Sequence, residues 1–494
     1  MKRLDVPPVL GILVAGVLTT CAPRTPAPAR GTYTYVVTPP PAGSWILQVD
    51  ATFEGAPAGR LVAPDPDAMR DVAFADASVP LGRMGEAWIA PACRARCTVH
   101  YALDLQAVAA GCRRMDCERR VGDAVIGQAS TFMLRPEPMG DAVVRVRVAG
   151  PDAGRFATGL RREADGPSVA GGHAGDGGYV FATAEMGEAA FTAFGDIRRR
   201  AVPVGGARLD LAILGAPLAM GDDGIATFVG ESASCVAAVL GRFPVDATVF
   251  IVPVPDASSV VFGRVMSLAG ASVVLLVGDG TPLASAHGEW VVVHELFHLG
   301  TPSFVGEGHW LEEGLATYYE PVARARAGWM TEAALWTHFA REMPRGLRAP
   351  GDPLDLEDRD DIDATYWGGA LFALLADVNL RAASLSRAAS LADAGPAGRS
   401  LDDVLRAVLA REGDGTHASR VAAFLKDGDE ATDSHELTAV YASWAVRGEN
   451  PDLEALWREL GVTGVDALRA GSKVEVVLRD DAPWAAVRRA ISGR

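Results

Sequence analysis

The sequence predicts an α+β protein, with a β-sandwich-like N-terminal domain followed by a domain that combines a mixed sheet with a helical lobe. Three observations predict it. Residues 32–203 are dominated by alternating or β-branched runs (TYTYVVT, WILQVDATFEG, TVHYALDL, STFMLRP, AVVRVRVAG) with Gly, Pro and Asp between them. Between 207 and 280 strand-like runs alternate with a helical pattern, and from about residue 307 helical periodicity takes over. The length, 494 residues, independently calls for two or three domains.

Composition narrows the class. Apolar residues make up 49% and charged residues 22%, as in folded globular chains. The net charge of −16 argues against a nucleic-acid partner, which calls for a basic face, and reads simply as a solvated acidic surface.

Taken in order, residues 1–20 read as a signal peptide. Lys2 and Arg3 precede the apolar run VLGILVAGVL, which at roughly 10–12 residues is too short to span a bilayer. The run ends in Leu18-Thr19-Thr20-Cys21, which resembles a bacterial lipoprotein box. Lipidation of Cys21 would anchor the chain to a membrane, and plain secretion is the alternative. Both place the protein outside the cytoplasm, in the periplasm or cell envelope. Residues 21–31, rich in Pro and Ala, suit an extended tether.

Cysteine usage agrees with export. Cys93, Cys97, Cys112 and Cys117 cluster around a strand-like run, and in an oxidising compartment they would form two disulfides pinning a hairpin. A four-thiolate zinc site is the competing reading. Cys235 is expected as a buried free thiol.

The second domain, 207–450, is expected to place strands at 209–215, 247–254 and 271–278 and a helix near 224–240. Further helices are expected at 331–341, 366–380 and 400–411. Residues 451–494, with a helix at 452–460, form a C-terminal helical extension. No internal repeat is evident.

The chemistry concentrates in 290–320, WVVVHELFHLGTPSFVGEGHWLEEGLATYYE. His294, Glu295 and His298 form H-E-x-x-H, and on a helix residues four apart share a face, so both imidazoles reach one metal ion. Trp290, Val291, Val292, Val293, Leu296, Phe297 and Leu299 surround them with apolar side chains, which marks a core helix. Gly300 and Pro302 stop it. Two histidines and a carboxylate buried without partners would cost several kcal/mol. One Zn2+ ion compensates them, with the imidazoles as ligands and Glu295 as the base beside it. Candidates for the third ligand are His309, Glu312 and Glu313; the two glutamates flank the apolar stripe of their helix almost symmetrically, so periodicity does not choose between them.

HELFH followed by WLEEGLATYYE resembles the gluzincin metallopeptidases, within them most closely the glycyl aminopeptidase family, relatives of aminopeptidase N and thermolysin. The resemblance implies a thermolysin-like catalytic domain, a peptide or protein substrate, and Glu313, directly before Gly314, as third ligand. It also implies that DIDATYWGGALFALLADVNLR matches a family helix whose Tyr stabilises the transition state, which puts Tyr366 in that role. Without the resemblance Tyr366 is a residue packing at a helix start, with Tyr318 and Tyr319 as fallback donors. Departures are specific. Gly368 stands where the family has Lys, and 268–275, LAGASVVL, carries Gly270 but no acid to hold a substrate's α-amine. The stretch after 460 is too short for the family's C-terminal PDZ domain.

The reading is therefore a zinc metallopeptidase, aminopeptidase or endopeptidase. The alternative is a non-catalytic zinc-containing surface lipoprotein on a degenerate peptidase fold.

Overall fold

The computed structural model describes residues 31–494, apart from 56–58, 77–78, 92, 94–95, 112–116, 164–177, 307, 349–361, 391–398 and 470–473. The expected signal peptide, nearly all of the tether, Cys21 and Cys112 lie outside the described residues.

The fold is mixed α and β. In its first part a seven-stranded sheet runs, edge to edge, Tyr179–Ala182, Ala142–Val148, Gly31–Thr38, Ile46–Glu54, Arg96–Asp104, Met69–Phe74 and Val79–Pro80. Alternation along Gly31–Thr38 and Ile46–Glu54 turns Tyr33, Tyr35, Val37, Leu47, Val49, Ala51 and Phe53 into one core. Two four-stranded sheets accompany it, one of them built from Phe156–Thr158, Phe191–Gly195, Ala124–Gln128 and Arg119–Val121.

A five-stranded mixed sheet carries the rest: Ile197–Val204, Ala207–Leu214, Ala247–Val254, Ser272–Gly278 and, at the edge, Val260–Met266. Its central strands are near-continuous apolar runs because both faces are covered. Leu209, Leu211, Ile213, Val249, Ile251, Val273 and Leu275 point into the helical core. Ala212, Leu214, Phe250, Val252, Val274 and Leu276 point the other way, onto Ile126, Ala157, Phe191 and Ala193 of the smaller sheet. Polar groups at that seam are paired: Ser272 Oγ accepts from Phe191 N at 2.9 Å, and Thr248 Oγ1 donates to Thr158 O at 2.9 Å.

Several expectations change. Ile197–Val204, which the sequence assigns to the close of the N-terminal part, is in register with Ala207–Leu214 as a hairpin of the five-stranded sheet. The turn at Gly205 and Gly206 therefore lies inside that sheet. Strand Val260–Met266 was not expected at all; its central residues are only half buried, as befits an edge. Residues 451–494 are no appendage, since Leu453, Trp457, Leu460, Val487 and Ile491 join the helical core. Buried Arg488 secures them by donating to Glu332 and to the carbonyls of Leu460 and Arg479.

Cys93 and Cys97 form a disulfide. It joins Cys93 to Cys97 at the start of strand Arg96–Asp104, a separation of four residues, rather than pinning a hairpin. Joined sulfurs are not thiolates, so the four-thiolate zinc site is excluded. Cys117 is also disulfide-bonded, and Cys235 is a buried free thiol.

Candidate metal centre

Helix Val291–His298 lies against edge strand Val260–Met266 and helix Gly221–Leu240. Val292, Val293, Leu296 and Phe297 are fully buried, so packing alone fixes how the helix is rotated. That rotation sends His294 and His298 to one side. Trp290 departs from the sequence reading, being 50% exposed at the helix start rather than part of the core.

Helix His309–Arg326 supplies the opposing group. It crosses helix Gly369–Ser390 where Gly314 meets Gly369; a Cβ on Gly314 would stand 2.3 Å from Gly369 Cα, so only glycine permits the approach. Glu313, beside this crossing, points at the histidines. Its Oε2 is 3.2 Å from His294 Nε2 and 3.5 Å from His298 Nε2. One donor atom from each of the three residues lies within 4.8 Å of the others. A tetrahedron with zinc–ligand bonds of roughly 2.0–2.1 Å has edges of about 3.3 Å, so both spacings and the N, N, O donor set fit Zn2+.

Electrostatics hold the cluster together. Burial disfavours the charged form of His298, but Glu313, with Glu295 and Glu312, outweighs it, and its pKa is pushed up to about 9. Burial likewise works against ionised Glu313, yet His298 and His294 hold it well below the usual carboxylate range. Glu295 is raised, chiefly by burial, with His294 and His298 opposing.

The two glutamates that sequence periodicity left open are separated by their partners. Glu312 turns from the cluster and accepts a hydrogen bond from Phe304 N, tying down the loop between the two helices. His309 stays at the margin, its Nε2 4.0 Å from Glu313 Oε1. Tyr366 lies in a π-helical turn, Asp363–Gly368, just ahead of helix Gly369–Ser390. Its ring stacks on His294, with centroids 6.0 Å apart. Burial is the main cause that raises its pKa. Tyr318 and Tyr319 are not alternatives: both are buried, donating to Asp377 at 2.8 Å and to Asp402 at 2.9 Å.

Gly270 is not at the site. Its φ is +134°, and it packs against the backbone of Gly159 and Arg161. The glycine that matters is Gly263 on the edge strand, next to Glu295. A lone Gly inside the apolar run VVFGRVM was the available signal. Buried Glu320 and Arg324 were also missed, although their i,i+4 spacing could have shown them. Arg324 Nη1 donates to Glu320 at 2.6 Å, and Nη2 donates to the carbonyls of His287 and Gly288 at 3.2 Å, fixing the chain that leads into the motif helix.

No family model matches the chain, and no curated protein matches it. Among solved structures it is similar to an aminopeptidase N family protein from Idiomarina loihiensis, at 14% identity and a TM-score of 0.58, over 87% of this chain and 78% of that one. It is also similar to an M1 zinc metallopeptidase from Deinococcus radiodurans, at 15% identity and a TM-score of 0.49, over 86% of this chain and 95% of that one. The chain thus shares its fold with an aminopeptidase N family protein.

Proposed function

We propose that the protein is a zinc-dependent peptidase, with His294, His298 and Glu313 as metal ligands and Glu295 as general base. The observation that carries the reading is the convergence of those three donor groups beside a half-buried fourth side chain, Glu295, on packed helices. Zinc, when bound, supplies a Lewis acid that polarises a carbonyl and lowers the pKa of water. Glu295 takes the proton from the attacking water and returns it to the leaving amine. Tyr366 donates to the developing oxyanion from the His294 side. Among the described residues, strand Val260–Met266 stands at the edge of its sheet next to the motif helix, a position that suits an extended peptide. The WLEEGLATYYE pattern further supports a gluzincin related to the glycyl aminopeptidases, with a thermolysin-like arrangement of sheet and helices.

The N-terminal sequence supports export to the cell envelope, with Cys21 as the lipidated anchor. A non-catalytic zinc-binding lipoprotein is favoured by one observation, the absence of any acid in VVFGRVM at the edge strand. Zinc-loaded wild type and Glu295→Gln, given a mixed peptide library with products read by mass, separate the two. We expect cleavage by wild type and, in the variant, retained zinc with activity reduced by about 10²–10⁴-fold. Undiminished cleavage by the variant would sink the assignment, and no cleavage by zinc-loaded wild type would favour the binding protein.

A further inference from the structure

Trp290 is a large apolar side chain that the core does not use. It stands four residues before His294, which stands four before His298, so the three form one row along one helix face. The indole meets the His294 imidazole edge to face, with centroids 5.5 Å apart at 87°. Tyr366 stacks parallel to that imidazole at 6.0 Å. Glu289 Oε2, one residue before Trp290, accepts from Val260 N at 3.1 Å and so draws the start of the edge strand alongside. Val261, the next strand residue, is 40% exposed, and Trp290 is 50% exposed. Trp290 thus presents water-facing apolar surface beside the proposed ligand His294, and Val261 adds more on the adjoining strand. Exposed apolar surface beside polar groups that converge on one point is characteristic of a ligand subsite.

We infer that Trp290 and Val261 form an apolar subsite, selecting peptides with a bulky aromatic or aliphatic side chain next to the scissile bond. The inference rests on the peptidase reading above. An aromatic ring can stack on the free indole face, whereas glycine leaves that face in water. Discrimination of this kind, from apolar groups alone, is typically about 10–200-fold.

The test is binding, which does not require turnover. L-Phenylalanine hydroxamate and glycine hydroxamate share the metal-chelating group and differ in the side chain offered to Trp290. Their dissociation constants are measured by titration calorimetry on zinc-loaded wild type, Trp290→Ala and Trp290→Phe, with zinc content verified in each. We expect wild type to favour the phenylalanine compound at least about tenfold. In Trp290→Ala the ratio should collapse to within about twofold, and Trp290→Phe should keep most of it. Equal or undetectable binding of the two compounds by wild type overturns the subsite, as does a ratio that survives in Trp290→Ala. A protein that shows the expected ratios and cleaves no peptide would retain the subsite while the peptidase reading falls.

Discussion

Gly263 lies so close to Glu295 that a Cβ on the glycine would stand 2.3 Å from Glu295 Cγ and 2.9 Å from its Oε1. The edge of the five-stranded sheet thus forms one wall of the space in which the proposed base sits. Any side chain at 263 must push the carboxylate aside or separate strand from helix. Displacing a reacting group by about 1 Å can cost on the order of 10²-fold in rate. Gly263→Ala should therefore lower kcat by roughly that factor while leaving zinc affinity close to wild type, because the atoms nearest to the added methyl all belong to Glu295 and not to a ligand. Equal kcat in the two proteins, by steady-state assay, would show that Glu295 has room to spare.

Neighbouring glutamates are expected to behave unequally. Glu313 faces both histidines, whereas Glu312 is occupied by Phe304 N. Glu313→Gln should weaken zinc binding by more than about 100-fold, beyond what an outer partner of a metal ligand usually contributes. Glu312→Gln should weaken it by less than that, its main effect being a looser loop before helix His309–Arg326. Competition with a chromophoric chelator measures both, and a larger zinc loss in Glu312→Gln would reassign the third ligand.

Tyr366 is positioned by the crossing at Gly314 and Gly369, which brings the end of its π-helical turn against the helix of Glu313. If the phenol donates to the oxyanion, Tyr366→Phe keeps the ring against His294 and removes only the donor. Loss of one such donor typically costs about 10²–10³-fold in kcat. KM should change little, since the bond is made mainly in the transition state. A rise in KM with kcat intact would instead make Tyr366 a residue that holds the substrate.

Much of this site was legible because helical spacing is a local property: His294 and His298 share a face whatever the tertiary fold. The strands at 247–254 and 271–278 were legible because central strands covered on both faces are continuous apolar runs. The edge strand Val260–Met266 was not, since half-burial and a bulge between Val260 and Phe262 blur its alternation. Gly263 was hidden with it. The choice between Glu312 and Glu313 depends on what each carboxylate meets across a loop, which periodicity does not encode. The hairpin that carries Ile197–Val204 into the second sheet was hidden for a similar reason, because a strand run shows its pattern but not its partner.

The buried polar network behind the site gives a pH-dependent prediction. Asp402 accepts from Tyr319 at 2.9 Å, from Arg326 at 2.9 Å and from Arg381 at 3.4 Å, and Arg326 Nε reaches the Ile491 carbonyl at 2.9 Å. One carboxylate thereby links the helices His309–Arg326, Gly369–Ser390 and Leu401–Arg411 to the C-terminal helix. Burial opposes its charge, but Arg326 and Arg381 outweigh burial and hold its pKa below the ordinary value. A depressed folded-state pKa means stability that is fully present above the unfolded value, about 3.9, and lost as pH falls through the folded one. Breaking a buried ion pair costs about 3–5 kcal/mol, and Asp402→Asn, which keeps part of the hydrogen bonding, should fall near or below the lower end at pH 7. As pH drops below about 4 the carboxyl of the unfolded wild-type chain takes up a proton while the folded one resists until its own lower pKa, so the gap between the two proteins should narrow. Urea midpoints of both proteins at pH 7 and pH 3, with chelator present so that metal loss does not contribute, measure that gap. A gap of the same size at both values would mean that Asp402 acts by shape and hydrogen bonding rather than by its charge.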